Sequence, residues 1–408
     1  MSNLVIRFNP KKAITFAFIA LGPLGNILTP HFFPSSFRTY YFLLPFFPVF
    51  FVDGKERFAK IGIIFLPFFL YCFVSALNIE IFGNPNEPYP VLRFFLLLCQ
   101  FFFILGAVSC LRKEEELTQI IKTYINFYSI SLAIGWLFFI GFYLGVIPFS
   151  FIARFSVLAQ FGWGMLRFSP GSYPNEYGIV SSFVLSILTL IYLDKKNSPL
   201  KFSNKWFPIL FIATYLAFLL ATTRAAYLSY FACLVYLIWK SGSFVKQFTK
   251  LCLTVIISFG LLSTLNLNMF DILSSGFSQK INEGSLGERY LIWIESINKA
   301  KEHPILGIGF GGLTNIHNVY LQLLFELGFI GSIILAVSLF VSLIESFFRY
   351  KRPILDNSSL FIGKIKMVGL INVLFFAASN HNLNHHLTWL VFFLCLVTLR
   401  LPFKRHLA

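Results

Sequence analysis

The chain has 408 residues, 57% of them hydrophobic and only 12% charged, with a formal net charge of +16. A mean hydropathy of +0.75 excludes an ordinary soluble domain, which would need far more polar cover for its exposed positions. The basic residues sit in short stretches between apolar runs, so the positive charge reads as a topology signal and nucleic acid is not expected as a partner.

Apolar runs occur at about 13–30, 38–52, 60–78, 91–110, 122–146, 175–193, 206–222, 225–240, 249–267, 317–347, 365–380 and 385–402. Each is near the length needed to cross roughly 30 Å of hydrocarbon. The expected fold is therefore all-α, a polytopic membrane protein of about twelve spans. Every second connection is basic: Arg7, Lys11 and Lys12 precede the first span, Lys55 and Arg57 follow the second, and Lys195, Lys196, Lys201 and Lys205 follow the sixth. That alternation places both termini in the cytoplasm. All the cytoplasmic stretches together, including 112–122, 240–250, 349–366 and 400–405, hold 24 of the 33 basic residues, 17 of them Lys, whereas six of the remaining nine are Arg: Arg38, Arg93, Arg154, Arg167, Arg224 and Arg289. Topology needs only charge, while Arg adds a planar fork suited to phosphate or carboxylate; snorkelling of Arg38 and Arg93 at span ends explains part of the bias equally well.

Two outer connections are long enough to carry function, 147–172 and 267–316. In the first, Arg167-Phe-Ser-Pro-Gly-Ser-Tyr-Pro-Asn-Glu-Tyr-Gly178 leads into the sixth span, with Asn175 expected to cap the helix and Glu176 in its first turn. Between the seventh and eighth spans, Thr223-Arg224-Ala225 puts an ionisable residue at the membrane boundary, where a partner or a function is expected. In the second long connection, Ser285 and Glu288 form a capping box and Arg289 falls in the first helical turn, a good place for an anion. Leu291, Ile292, Trp293, Ile294 and Ile297 make that helix amphipathic, as if lying on the membrane surface. Gly307-Ile-Gly-Phe-Gly-Gly312 matches GxGxxG, but no strand precedes it in a βαβ unit, and a flexible hinge is the better reading. His317-Asn318 opens the tenth span, where a histidine can accept a proton near neutral pH. His381, His385 and His386 lack a nearby carboxylate or thiolate, and the six cysteines lack metal-ligand spacing, so no metal and no cofactor are expected.

Taken in order, these pieces resemble the O-antigen ligase and polymerase family of lipid-linked glycan transferases. His317-Asn318, nine residues, then Gly328-x-x-Gly331 is similar to the family's histidine motif. Arg289 to Trp293 with His303 to Gly309 looks like the stretch before it, Thr223-Arg224-Ala225 like a Ser-Arg-Gly segment with two departures, and Arg167 to Asn175 like an upstream Arg-Gly-Pro-Asn segment. The resemblance implies a core at 151–348 that includes a large periplasmic loop, 267–316, flanked by helices one to five in 1–150 and the last two in 349–408. It also implies an inner-membrane enzyme that takes an undecaprenyl-diphosphate-linked glycan at the periplasmic face, by inverting, metal-independent transfer. The acceptor is lipid A–core for a ligase, the favoured expectation, or a second lipid-linked repeat unit for a polymerase. His317 is then the expected general base, Arg224 and Arg289 the diphosphate ligands, and Arg154, Arg167, Asn175 and Asn318 further substrate contacts. A polysaccharide transporter or lipid flippase is the reading from another class, and it predicts charges buried in mid-span.

Overall fold

A computed structural model describes residues 9–25, 27–29, 38–51, 60–82, 90–110, 114–154, 158–161, 165–241, 249, 256, 260, 285–312, 316–350, 357–378 and 385–397. In chain order the helices are α1 (Pro10–Leu21), α2 (Lys60–Phe82), α3 (Pro90–Cys110), α4 (Glu114–Tyr143), α5 (Phe149–Arg154), α6 (Pro174–Leu193), α7 (Trp206–Leu220), α8 (Arg224–Ser241), α9 (Ser285–Glu302), α10 (Val319–Tyr350), α11 (Asn357–Ala377) and α12 (His386–Val397). Five contain stretches long and apolar enough to cross a membrane: Gly62–Ile81, Glu115–Tyr143, Pro174–Leu193, Val319–Val341 and Leu360–Ala377. The expected ninth span, 249–267, lies almost wholly outside the described residues. The all-helical expectation needs one correction, a two-stranded antiparallel ribbon of β1 (Leu158–Phe161) and β2 (Met165–Phe168).

Local chemistry explains several boundaries. Asn9 caps α1 by accepting the Lys12 amide at 3.2 Å, with Pro10 in the first helical position, where its missing N–H is harmless. The expected second span is 3₁₀ helix over Thr39–Phe51. Pro45 and Pro48 remove the donors an α-ladder would need there. At about 2.0 Å rise per residue the tighter helix still covers about 26 Å.

α6 is the axis of the molecule: nearly every residue from Tyr177 to Ile191 is buried. It packs against α7, α8 and α11. Its small polar residues are satisfied internally, with Ser186 donating to the Ser182 carbonyl at 2.7 Å and Thr189 to the Leu185 carbonyl at 2.8 Å. Cross-helix bonds fix the orientation of the bundle. Asn372 of α11 donates to Ser182 near the middle of α6, and Lys364, earlier in α11, pairs with Asp194 just past the end of α6, so α6 and α11 are antiparallel. Thr223, just before α8, donates to the Pro174 carbonyl at 3.0 Å, so α8 starts where α6 starts. Tyr320, in the first turn of α10, donates to the Leu374 carbonyl near the end of α11 at 2.8 Å. The starts of α6, α8 and α10 thus gather with the end of α11 at one end of the bundle.

Candidate functional site

That end holds Arg167, Asn175, Arg224, His317 and Asn318, the described residues singled out from sequence. Phe168 sets the position of Arg167. Its ring is fully buried, with centroids 4.9 Å from Trp136, 5.7 Å from Phe139 and 5.5 Å from Tyr177. This plug between α4 and α6 holds β2 so that the preceding guanidinium meets the end of α7. There Arg167 donates to the Ala221 carbonyl at 2.7 and 2.9 Å, to the Thr222 carbonyl at 3.1 Å and to the Thr223 hydroxyl at 3.0 Å. The last carbonyls of a helix have no partners within it, and a cation suits them. Burial lowers the Arg167 pKa to about 10, so it remains cationic at neutral pH.

The turn so clamped is strained. Thr222 has φ of 47°, in the left-handed region that disfavours side chains with branched Cβ atoms. Arg224, half-buried, is the first residue of α8, directly after the clamp. Gly178 allows the close approach behind it: a Cβ there would lie 2.8 Å from the Thr223 side chain.

His317 is the other non-glycine residue with positive φ among the described residues, at 55°. It is half-buried, and its neighbours are tied on both sides. Before it, the Trp293 indole of α9 donates to the Ile316 carbonyl at 2.8 Å. After it, the Asn318 side chain accepts the Leu321 amide at 3.1 Å, the N-cap of α10. Asn318, expected to touch substrate, has its carbonyl oxygen committed to this cap. Arg289 lies one helical turn before Trp293, which puts its backbone on the face of α9 turned to the Ile316–His317 segment. The side chains of Arg289 and Arg154 lie outside the described residues, as does His381. α9 packs through Trp293 and Ala300 against Ile316 and Phe325, while Leu291, Ile294 and Ile297 face outward.

The glycine-rich segment is not the expected hinge. α10 is interrupted at Gly328, with φ 60° and ψ −168°. Residues 304–309 are bonded across the break: Ile308 N–H to Phe325 O at 3.0 Å, Gly309 N–H to Glu326 O at 3.0 Å, Phe329 N–H to Pro304 O at 3.0 Å and Ile330 N–H to Ile305 O at 3.2 Å. The Tyr71 hydroxyl of α2 lies 2.9 Å from the Leu306 carbonyl and 3.0 Å from that of Leu327. Glycine is required because the backbones nearly touch: a Cβ on Gly307 would lie 2.4 Å from the Gly328 nitrogen.

Asn175 is not the cap of α6; Tyr173 holds that position and Pro174 fills the first turn, so Asn175 sits second. Glu176 forms a two-pronged ion pair with Arg38, at 2.6 and 2.7 Å to Nη2 and 3.1 Å to Nε. Nothing in the sequence points to this pairing, 138 residues apart. The pair lines a small cleft with Ser172, Tyr177, His385 and His386. His386 shares a 3.1 Å hydrogen bond with the Tyr124 hydroxyl. Among the described residues no group of His, Cys, Asp and Glu is arranged to hold a metal ion.

Residues 209–336 match the family model described as O-antigen ligase. That segment runs from α7 to beyond the break in α10, and contains Arg224, Arg289, His317 and Gly328. No curated protein matches the chain.

Proposed function

We propose, from the match of residues 209–336 to the O-antigen ligase family model, that the chain transfers a glycan from undecaprenyl diphosphate to an acceptor hydroxyl at the periplasmic face of the bacterial inner membrane. One observation carries this reading: Thr222 and His317, the two left-handed non-glycine residues among those described, fall at the two suspected motifs and at the same end of the bundle. Strained backbone of this kind persists only where the surroundings over-determine it, and it concentrates at functional sites.

In the proposed reaction His317 takes the acceptor proton as the hydroxyl attacks the anomeric carbon. Arg224, and Arg289 from α9, hold the departing diphosphate and stabilise the charge it gains. Arg167 serves this site by fixing the turn that aims Arg224. Arg154 and Asn175 remain candidate glycan contacts. The leaving diphosphate supplies the driving force, so neither nucleotide nor metal is required. The assignment of alternate connections to opposite sides, within a proposed twelve-span arrangement with cytoplasmic termini, is supported by the ion pairs. Lys12–Glu116 and Asp194–Lys364 join residues assigned to the cytoplasmic side, and Arg38–Glu176 and Arg93–Glu326 join residues assigned to the outer side. The clustering of candidate residues at one end favours a transferase over a flippase, whose charges would line a path through mid-span.

The favoured acceptor is lipid A–core, which makes the protein a ligase; the second reading is a polymerase that elongates a lipid-linked repeat. A lipopolysaccharide gel of a deletion strain tests both. Loss of all surface O-antigen with carrier-linked chains accumulating marks the ligase, core plus a single repeat marks the polymerase, and an unchanged ladder refutes the function.

A further inference from the structure

The proposed mechanism makes no use of a charge pair buried beneath it. Glu326 is completely buried in α10, between His317 and the break at Gly328. Its Oε1 accepts from Arg93 of α3 at 3.1 Å and from Gln322 at 3.0 Å, while Oε2 has no hydrogen-bond partner among the described residues. The Arg93 guanidinium also lies over the Phe310 ring, 4.9 Å from its centroid. Phe310 is itself fully buried, and its amide donates to Ser75 of α2 at 2.9 Å. One ion pair therefore grips both the upper half of α10 and the glycine-rich loop, and binds them to α2 and α3.

A carboxylate and a guanidinium removed from water are a poor way to hold helices together, because desolvation offsets most of their attraction and apolar residues of similar size do as well. Such pairs set geometry more readily than they add stability. The element fixed here is the half-helix that opens at His317-Asn318, and His317 occupies a backbone conformation that must be imposed.

We propose that Arg93 and Glu326 are positioning residues that fix the height and orientation of His317 over the outer end of the bundle. This rests on the reading of His317 as the group that takes the acceptor proton. The double variant R93M/E326Q removes both charges and keeps similar volumes. It should accumulate to the wild-type level. The purified full-length protein is assayed with an undecaprenyl-diphosphate-linked oligosaccharide and the acceptor identified by the gel. The expected result is a kcat lower by on the order of 10²-fold, the effect of misplacing a catalytic group by about 1 Å, with the donor KM unchanged. E326D, which retains the charge, should recover part of the loss. A double variant with wild-type kcat, in parallel with an inactive H317A, overturns the proposal. So does a double variant that fails to accumulate, which assigns the pair to folding. An active H317A instead refutes the reading of His317, whatever the pair does.

Discussion

At the end of the bundle that gathers the candidate residues, three arginines each make several contacts, whereas at the opposite end two lysines each pair with one carboxylate. Arg167 reaches two carbonyls and a hydroxyl, Arg38 both oxygens of Glu176, and Arg93 a carboxylate and an aromatic face. Across the molecule Lys12 meets Glu116 and Lys364 meets Asp194, pairs partly open to solvent. The difference follows from side-chain geometry, since a planar fork can satisfy convergent acceptors and an ammonium on a flexible stem cannot do so with direction. It also corrects a simple inference. An excess of arginine on one side does not mean that all of them bind substrate. Three of the six outer arginines are engaged in holding that end of the protein together.

The sharpest test of the contrast is His317, where the largest effect is expected. H317Q should fold yet lose about 10²–10⁴ in transfer rate, since an amide can hold a hydrogen bond but cannot take the proton; this is read with purified enzyme across pH. Near-normal turnover would mean that His317 only positions the acceptor. R224K comes next. It should keep protein level and lose most activity, because a point charge does not reproduce a two-pronged phosphate grip. Equal activity would make Arg224 an interface anchor. R167A should lower stability in detergent by about 3 kcal/mol, the range for withdrawing a charged donor from buried acceptors, and lower activity through the Thr222 turn. R167K should recover only part of both. The smallest effect is expected at the other end, where K364A should change thermal stability by about 0–1 kcal/mol and leave transfer unchanged.

Sequence periodicity made the helices legible, and motif spacing singled out His317 and Arg224, which the fold brings to one end of the bundle. What it could not supply was the third dimension at each. Arg167 stood out as a charge beside a turn, but its acceptors lie 54 residues away at the end of α7. Glu326 is an acid in an apolar run, and its partner is 233 residues distant. The glycine-rich segment carried a recognisable composition with the wrong implication. Glycine permits motion, but here it permits contact, with Gly307 and Gly328 touching where any side chain would intrude. Asn175 was misjudged by two positions because Pro174 starts the helix without a side-chain cap.

The break in α10 also has a mechanical side. An unbroken helix of its 32 residues would run about 48 Å, well beyond a hydrocarbon layer of roughly 30 Å. A bare break would behave as a loose joint, letting the lower segment tilt in a thicker or thinner bilayer while the upper one stayed still. This one is splinted. Residues 304 and 305 are bonded to the segment below Gly328, residues 308 and 309 to the segment above it, and Tyr71 to the loop between. A tilt of the lower segment therefore has to strain these bonds and cannot bend α10 freely at Gly328.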